Sequence, residues 1–282
     1  MNHLLCFGFG YTAEVLAGEL MPLGWRVSGT TRNPTRLNEM RLLGVNALPF
    51  GMLKSIPSGV THILSSVPPD ANGDPVIPRF MGELIRHFSW IAYLSTTGVY
   101  GDRAGGWVGE DSALSPVSER GTRRMLAEQG WLQRGAHIFR LPGIYGPGRN
   151  ALDTLREGKA KRVIKPGQIF SRIHVEDIAG LLGASIAKPN PGRIYNVADD
   201  EPCPPQDVIT YAAKLLGISP PPEIPIAEAN LSPMALSFYD ESKRVSNQRM
   251  KQELGYQLRY PSYREGLEAI LKNSPHLHAP PD

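Results

Sequence analysis

Apolar runs of strand length alternate along the chain with stretches whose apolar residues recur at helical spacing. Residues 3–7, 25–30, 62–67, 90–95 and 137–141 read as strands, and 12–21, 35–43 and 118–132 read as amphipathic helices. Such alternation predicts a parallel sheet covered by helices on both faces. The pattern changes at Tyr145-Gly146-Pro147-Gly148-Arg149, a turn-rich sequence. A helix over 175–187 and a strand over 193–197 then lead back to the sheet. Residues 218–233 carry too many prolines for regular structure and read as a long lid or binding loop. Residues 248–254 and 263–271 read as helices, and 276–282 as a frayed end.

At 282 residues the chain is long enough for one large α/β unit with a smaller appendage. A net charge of +3 is small for that length, so charge balance gives no reason to expect nucleic acid or an anionic membrane as partner. Two cysteines, Cys6 in an apolar run and Cys203 in a Pro-rich loop, fit a reducing compartment without a disulfide framework or a metal site. The first residues reach a glycine turn too soon for a signal peptide, and no apolar run nears the roughly 20 residues needed to span a bilayer. The expectation is a cytoplasmic protein.

Between the first strand and the first helix stands Gly8-Phe9-Gly10-Tyr11-Thr12-Ala13, a G-x-G-x-x-A turn. Gly8 permits a tight turn, Gly10 leaves room for a pyrophosphate, and Ala13 keeps helix and strand close. The helix N-terminus supplies unpaired N–H groups and a positive dipole end for phosphates. About twenty residues on, an NAD site offers a carboxylate to the ribose 2′-hydroxyl. This sequence has Gly29-Thr30-Thr31-Arg32 instead. Arg32, with a hydroxyl from Thr30 or Thr31, suits a 2′-phosphate, so NADP is the expected cofactor and NAD the alternative.

The run Ala92-Tyr93-Leu94-Ser95-Thr96-Thr97-Gly98-Val99-Tyr100-Gly101, followed by Pro116-Val117-Ser118-Glu119-Arg120-Gly121-Thr122-Arg123-Arg124, resembles the active-site frame of the extended short-chain dehydrogenase/reductases. Arg140-Leu141-Pro142-Gly143-Ile144-Tyr145-Gly146-Pro147 and Phe170–Asp177 extend the resemblance over most of the chain. It implies a Rossmann-type, doubly wound parallel sheet built from 1–148 and 174–198, with a smaller C-terminal substrate-binding region from 149–173 and 199–282. It also implies that Ser65, Ser66 and Val67 face the cofactor, that Thr96 is the active-site hydroxyl, and that the chain forms a homodimer.

The same frame shows where this chain departs from the family. In relatives the second segment reads Pro-x-Ser-x-Tyr-Gly-x-x-Lys; here Arg120 takes the tyrosine position and Arg124 the lysine position. A guanidinium stays protonated, so Arg120 cannot exchange a proton as a phenol does. Arg124 can still reach the nicotinamide ribose. Tyr11, Tyr100 and Tyr145 are the alternative proton donors, Tyr100 first because it shares the Thr96 loop. Sugar 4,6-dehydratases place an Asp-Glu pair where this chain has Thr97 and Gly98, which argues against that reaction. His174 and Asp177 read as a buried hydrogen-bonded pair at the domain junction.

Basic residues outnumber acidic ones between 149 and 172. That excess suits an anion, and the resemblance implies that Arg149, Arg172 and Arg244, nearest the family's substrate-side motifs, contact with Arg120 a small anionic substrate, either a nucleotide sugar or another anion. The sequence supports an NADP-dependent oxidoreductase or epimerase-like enzyme with an unconventional proton donor. A non-catalytic redox sensor or regulatory protein on the same fold is the alternative.

Overall fold

The computed structural model describes residues 1–85 and 87–274; the expected frayed end at 276–282 lies outside them. The chain begins β1 (His3–Phe7), α1 (Tyr11–Leu20), β2 (Arg26–Thr31), α2 (Pro34–Leu42), β3 (Asn46–Pro49) and β4 (His62–Ser65). After β5 (Trp90–Thr96) come α3 (Glu119–Leu132), β6 (His137–Leu141), α4 (Val175–Ala187) and β7 (Ile194–Asn196). These seven strands form one sheet in the order β3-β2-β1-β4-β5-β6-β7, every neighbouring pair parallel. The order reverses between β1 and β4, and the crevice outside their carboxyl ends is where open α/β sheets bind ligands.

Burial on both faces explains why β1, β5 and β6 read as continuous apolar runs rather than alternating ones. On one face, Leu16 and Ala17 of α1 and Ile178, Leu181 and Leu182 of α4 share a core with Met40 of α2. On the other, Ala127 and Trp131 of α3 pack with Phe80 and Tyr93. The strand β3 has only four residues at the sheet edge, none of them fully buried, so hydrophobic patterning alone does not reveal it.

The C-terminal lobe has its own core, in which Leu152 and Leu155 meet Ala212 and Ala213 of α5 (Pro205–Leu215) and Leu267 and Ile270 of α7 (Tyr263–Asn273). The sequence reading missed α5 because its flank is Pro-rich; proline at the first helical position is in fact a start signal. The helix α6 (Gln248–Leu254) buries Met250 and Leu254 in the main core, not in that of the lobe. Within the Pro-rich segment, Glu223–Pro225 pairs with Arg162–Ile164 as a short strand, so the stretch is more regular than its composition suggests.

Candidate active site

A cleft of about 1030 Å³ runs from the carboxyl ends of the central strands to the C-terminal lobe. At its sheet end, Gly8 sits at φ +81°, and an added Cβ would stand 2.9 Å from Ser66 Oγ. Glycine therefore lets the exits of β1 and β4 approach each other. The Gly8 N–H donates to Thr30 Oγ1 at 2.9 Å and the Phe9 N–H to Thr30 O at 2.8 Å, which pins the turn to β2. Phe9 is corrected from a cofactor contact to a packing residue. Its N–H is already used, and its buried ring covers Gly29, where a Cβ would come within 2.5 Å of it.

Gly10 is different: an added Cβ there would meet nothing within 4 Å, and the residue opens on the cleft. No side chain caps α1, whose first residues, Tyr11 and Thr12, line the cleft, while Ala13 is buried against the sheet. Space at Gly10 beside an uncapped helix N-terminus fits a pyrophosphate. Beyond β2, Arg32 is exposed and has no ion-pair partner among the described residues. Thr31 Oγ1 accepts the Asn33 N–H at 3.1 Å. The nearby Arg36 is already held by Glu14 and Glu39, with its guanidinium 5.6 Å from the Phe9 ring centroid.

At β4, Ser66 Oγ donates to Gly8 O at 2.6 Å and lines the cleft, and Val67 lies beside the same turn. Ser65 does not face the cofactor space: it is fully buried within the strand and its hydroxyl has no hydrogen-bond partner among the described residues. Thr96 ends β5 at the cleft, with its Oγ1 accepting the Gly98 N–H at 3.1 Å. The first turn of α3 packs close to this loop. A Cβ at Gly121 would stand 3.0 Å from Gly98 O and 2.8 Å from Pro116 Cβ.

Tyr100 is a correction. It is fully buried, donates its hydroxyl to Asn196 Oδ1 at 2.7 Å and accepts from Arg140 Nη1 at 2.9 Å. Burial raises its pKa above the usual phenol range. Arg140 is itself paired with Glu128 at 2.8 Å, both side chains being buried, so Tyr100 belongs to an internal network and cannot reach a substrate. The other phenols are engaged as well. Tyr11 donates to Pro147 O at 2.9 Å, with its pKa pushed up to about 12 by burial, and Tyr145 donates to Ser262 O at 3.2 Å.

Arg124 is nearly buried at the cleft wall, where its Nη1 donates to Leu94 O at 2.7 Å; Arg120 lies exposed at the rim. Arg149 lines the far side and is exposed. Arg172 donates to Cys203 Sγ at 2.9 Å and lies over the Tyr263 ring. Arg244 is corrected: its guanidinium donates to Gly105 O, and its short strand Arg244–Val245 pairs with Trp107–Val108, off the cleft. Several other basic residues hold the Pro-rich segment and the chain just after it. Lys161 donates to Ala229 O at 2.9 Å, Arg162 pairs with Glu223 at 2.8 Å, and Lys165 donates to Tyr239 O.

His174 and Asp177 are both buried but do not bond each other. Asp177 accepts from Tyr256 OH and from the N–H groups of Arg259 and Tyr260, at 2.7–3.1 Å, tying α4 to the C-terminal chain. His174 Nδ1 accepts the Glu176 N–H at 3.3 Å. The sequence reading missed Glu241 and Lys243, an ion pair that lines the cleft with each side chain no more than 13% exposed. Their spacing carried a signal: in extended chain, residues two apart share a side, opposite to the residue that follows. That places Lys243 in the cleft and Arg244 out of it.

No family model matches the chain. A structure described as that of a functionally unknown conserved protein from Silicibacter pomeroyi DSS is 51% identical, with a TM-score of 0.93 over 97% of this chain and 99% of that one. The chain belongs to the family of that protein. Its fold is that of the extended short-chain dehydrogenase/reductases. The human epimerase family protein SDR39U1, solved with NADPH, matches with a TM-score of 0.74 at 16% identity, over 96% of this chain and 98% of that one. Protein YeeZ of Escherichia coli K12 is 26% identical, covering 93% of this chain and 97% of YeeZ.

Proposed function

We propose that this member of the Silicibacter protein's family is an NADP-dependent oxidoreductase or epimerase-like enzyme acting on a small anionic substrate. The observation that carries the reading is a single cleft that joins the uncapped N-terminus of α1 to Thr96 and then to Arg120, Arg149 and Arg172. Gly10, Tyr11 and Thr12 hold the pyrophosphate, Arg32 the 2′-phosphate, and Ser66, Val67 and Arg124 flank the nicotinamide half. When bound, the cofactor supplies or accepts a hydride. NADPH in the structural relative supports a nicotinamide dinucleotide here. The arginines receive the anionic end of the substrate, and Thr96 offers a hydroxyl to its reacting oxygen.

The cofactor choice is tested by calorimetric titration with NADPH and NADH. NADPH should bind at least tenfold more tightly, and Arg32→Ala should remove most of that preference, because the guanidinium pairs only with the extra phosphate. Equal affinities in the wild type would refute the assignment. Arg120 and Arg124 in place of tyrosine and lysine favour a second reading, a non-catalytic redox sensor. Tight NADPH binding without turnover on aldehydes, ketones and nucleotide sugars would select it.

A further inference from the structure

Gly98, which has no side chain, leaves room beside Thr96 on the cleft wall. A Cβ built there would lie 3.5 Å from Thr96 Oγ1 and 4.0 Å from Glu241 Oε2, so the carboxylate arrives from the C-terminal lobe at the place where residue 98 would otherwise project. Glu241 in turn accepts from Lys243 Nζ, and both line the cleft. Gln168 Nε2 donates to Glu241 O at 2.7 Å, and the Ser242 N–H donates to Asp102 Oδ1 at 2.7 Å, which fixes the peptide that joins Glu241 to Ser242. A lysine with a mostly buried side chain needs a reason to be there, and with Glu241 as its side-chain partner among the described residues its ammonium has further N–H bonds to offer.

We infer that Lys243 is the catalytic proton donor of this site, with Glu241 as its positioning residue, on the reading that the protein reduces a carbonyl. The hydride adds to the carbonyl carbon and the C=O π pair moves to oxygen. Lys243 Nζ then delivers a proton to that oxygen while the N–H bonding pair stays on nitrogen, giving the alcohol. Water entering through the open cleft reprotonates the amine. Thr96 donates a hydrogen bond to the same oxygen. The pair does what neither Arg120 on α3 nor the engaged Tyr100 after β5 can do.

The test uses the full-length protein with 4-carboxybenzaldehyde and NADPH as probe. Lys243→Arg keeps the charge and the contact to Glu241 but cannot release a proton. It should fold, bind NADPH within about threefold of wild type, and lose on the order of 100-fold or more in kcat with little change in KM. Glu241→Gln, which is closer in shape, should lower kcat less. A readout independent of turnover is the 15N resonance of Lys243 Nζ in lysine-labelled protein without cofactor, assigned by its loss in Lys243→Arg. It should shift on titration with 4-carboxybenzyl alcohol. Wild-type kcat in Lys243→Arg, or an unmoved resonance, overturns the role of Lys243 and leaves the enzyme reading standing. A wild type that binds NADPH but turns over neither this probe nor the other aldehydes, the ketones and the nucleotide sugars overturns both.

Discussion

At the scale of single residues, hydrogen-bond partners decide which side chains are free for chemistry. Tyr100 and Thr96 share a loop, yet the phenol is spent between Arg140 and Asn196 while the threonine hydroxyl stands at the cleft. Tyr100→Phe would leave Asn196 Oδ1 without its hydroxyl donor and Arg140 Nη1 with only its longer bond to Glu110 O, at 3.3 Å, in a buried network. It is expected to cost about 1–3 kcal/mol in urea unfolding, with the NADPH dissociation constant unchanged. A loss of NADPH affinity at full stability would place Tyr100 at the cleft after all. Arg244 teaches the same lesson: one position from Lys243 in sequence, it serves a loop carbonyl on the other side of the chain.

At the scale of elements, the β1–α1 turn combines two opposite demands on glycine. Gly8 is enclosed by Ser66 and Val67 with a positive φ, whereas Gly10 has ordinary backbone angles and empty space before it. A side chain at Gly10 thus costs the fold little and the ligand much. Gly10→Val is expected to retain wild-type circular dichroism and thermal midpoint while lowering NADPH affinity at least 100-fold by blocking the pyrophosphate. Retained affinity in calorimetry would show that the dinucleotide binds elsewhere. The corresponding change at Gly8 should damage folding itself, since the residue has a positive φ and the clash is with Ser66 and Val67 at the exit of β4.

At the scale of the whole molecule, histidines buried in their neutral form make stability depend on pH. Burial pushes His62 and His174 down to about 4 from an ordinary value near 6.5. The unfolded chain therefore binds more protons than the native one between those values, so stability falls as pH drops from 6.5 toward 4 and is flat above. Each group contributes up to about 1.4 kcal/mol per pH unit. Urea midpoints should decline over that window, and His174→Phe, which keeps an aromatic ring between Tyr145 and Tyr260, should reduce the slope. A slope identical to wild type would mean that His174 is protonated in the native state. Among the described residues no helix is long and apolar enough to cross a membrane.

The sequence by itself determined the layered sheet, because burial on both faces writes continuous apolar strands, and it located the glycine turn between β1 and α1, because glycine spacing there answers to local geometry. Gly8 and Gly10 were legible for that reason, whereas Thr96, Arg120 and Arg124 were legible only through the resemblance of their segments to a known active-site frame. Tertiary structure alone decided which of those residues remain free. Tyr100 lost its role to Asn196, 96 residues away, and the Glu241–Lys243 pair reached Gly98 across 143 residues of chain. Periodicity and motif spacing report what a residue does within its own turn or strand. Contacts between residues so far apart are set by how the lobe folds back over the sheet, and no local pattern encodes them.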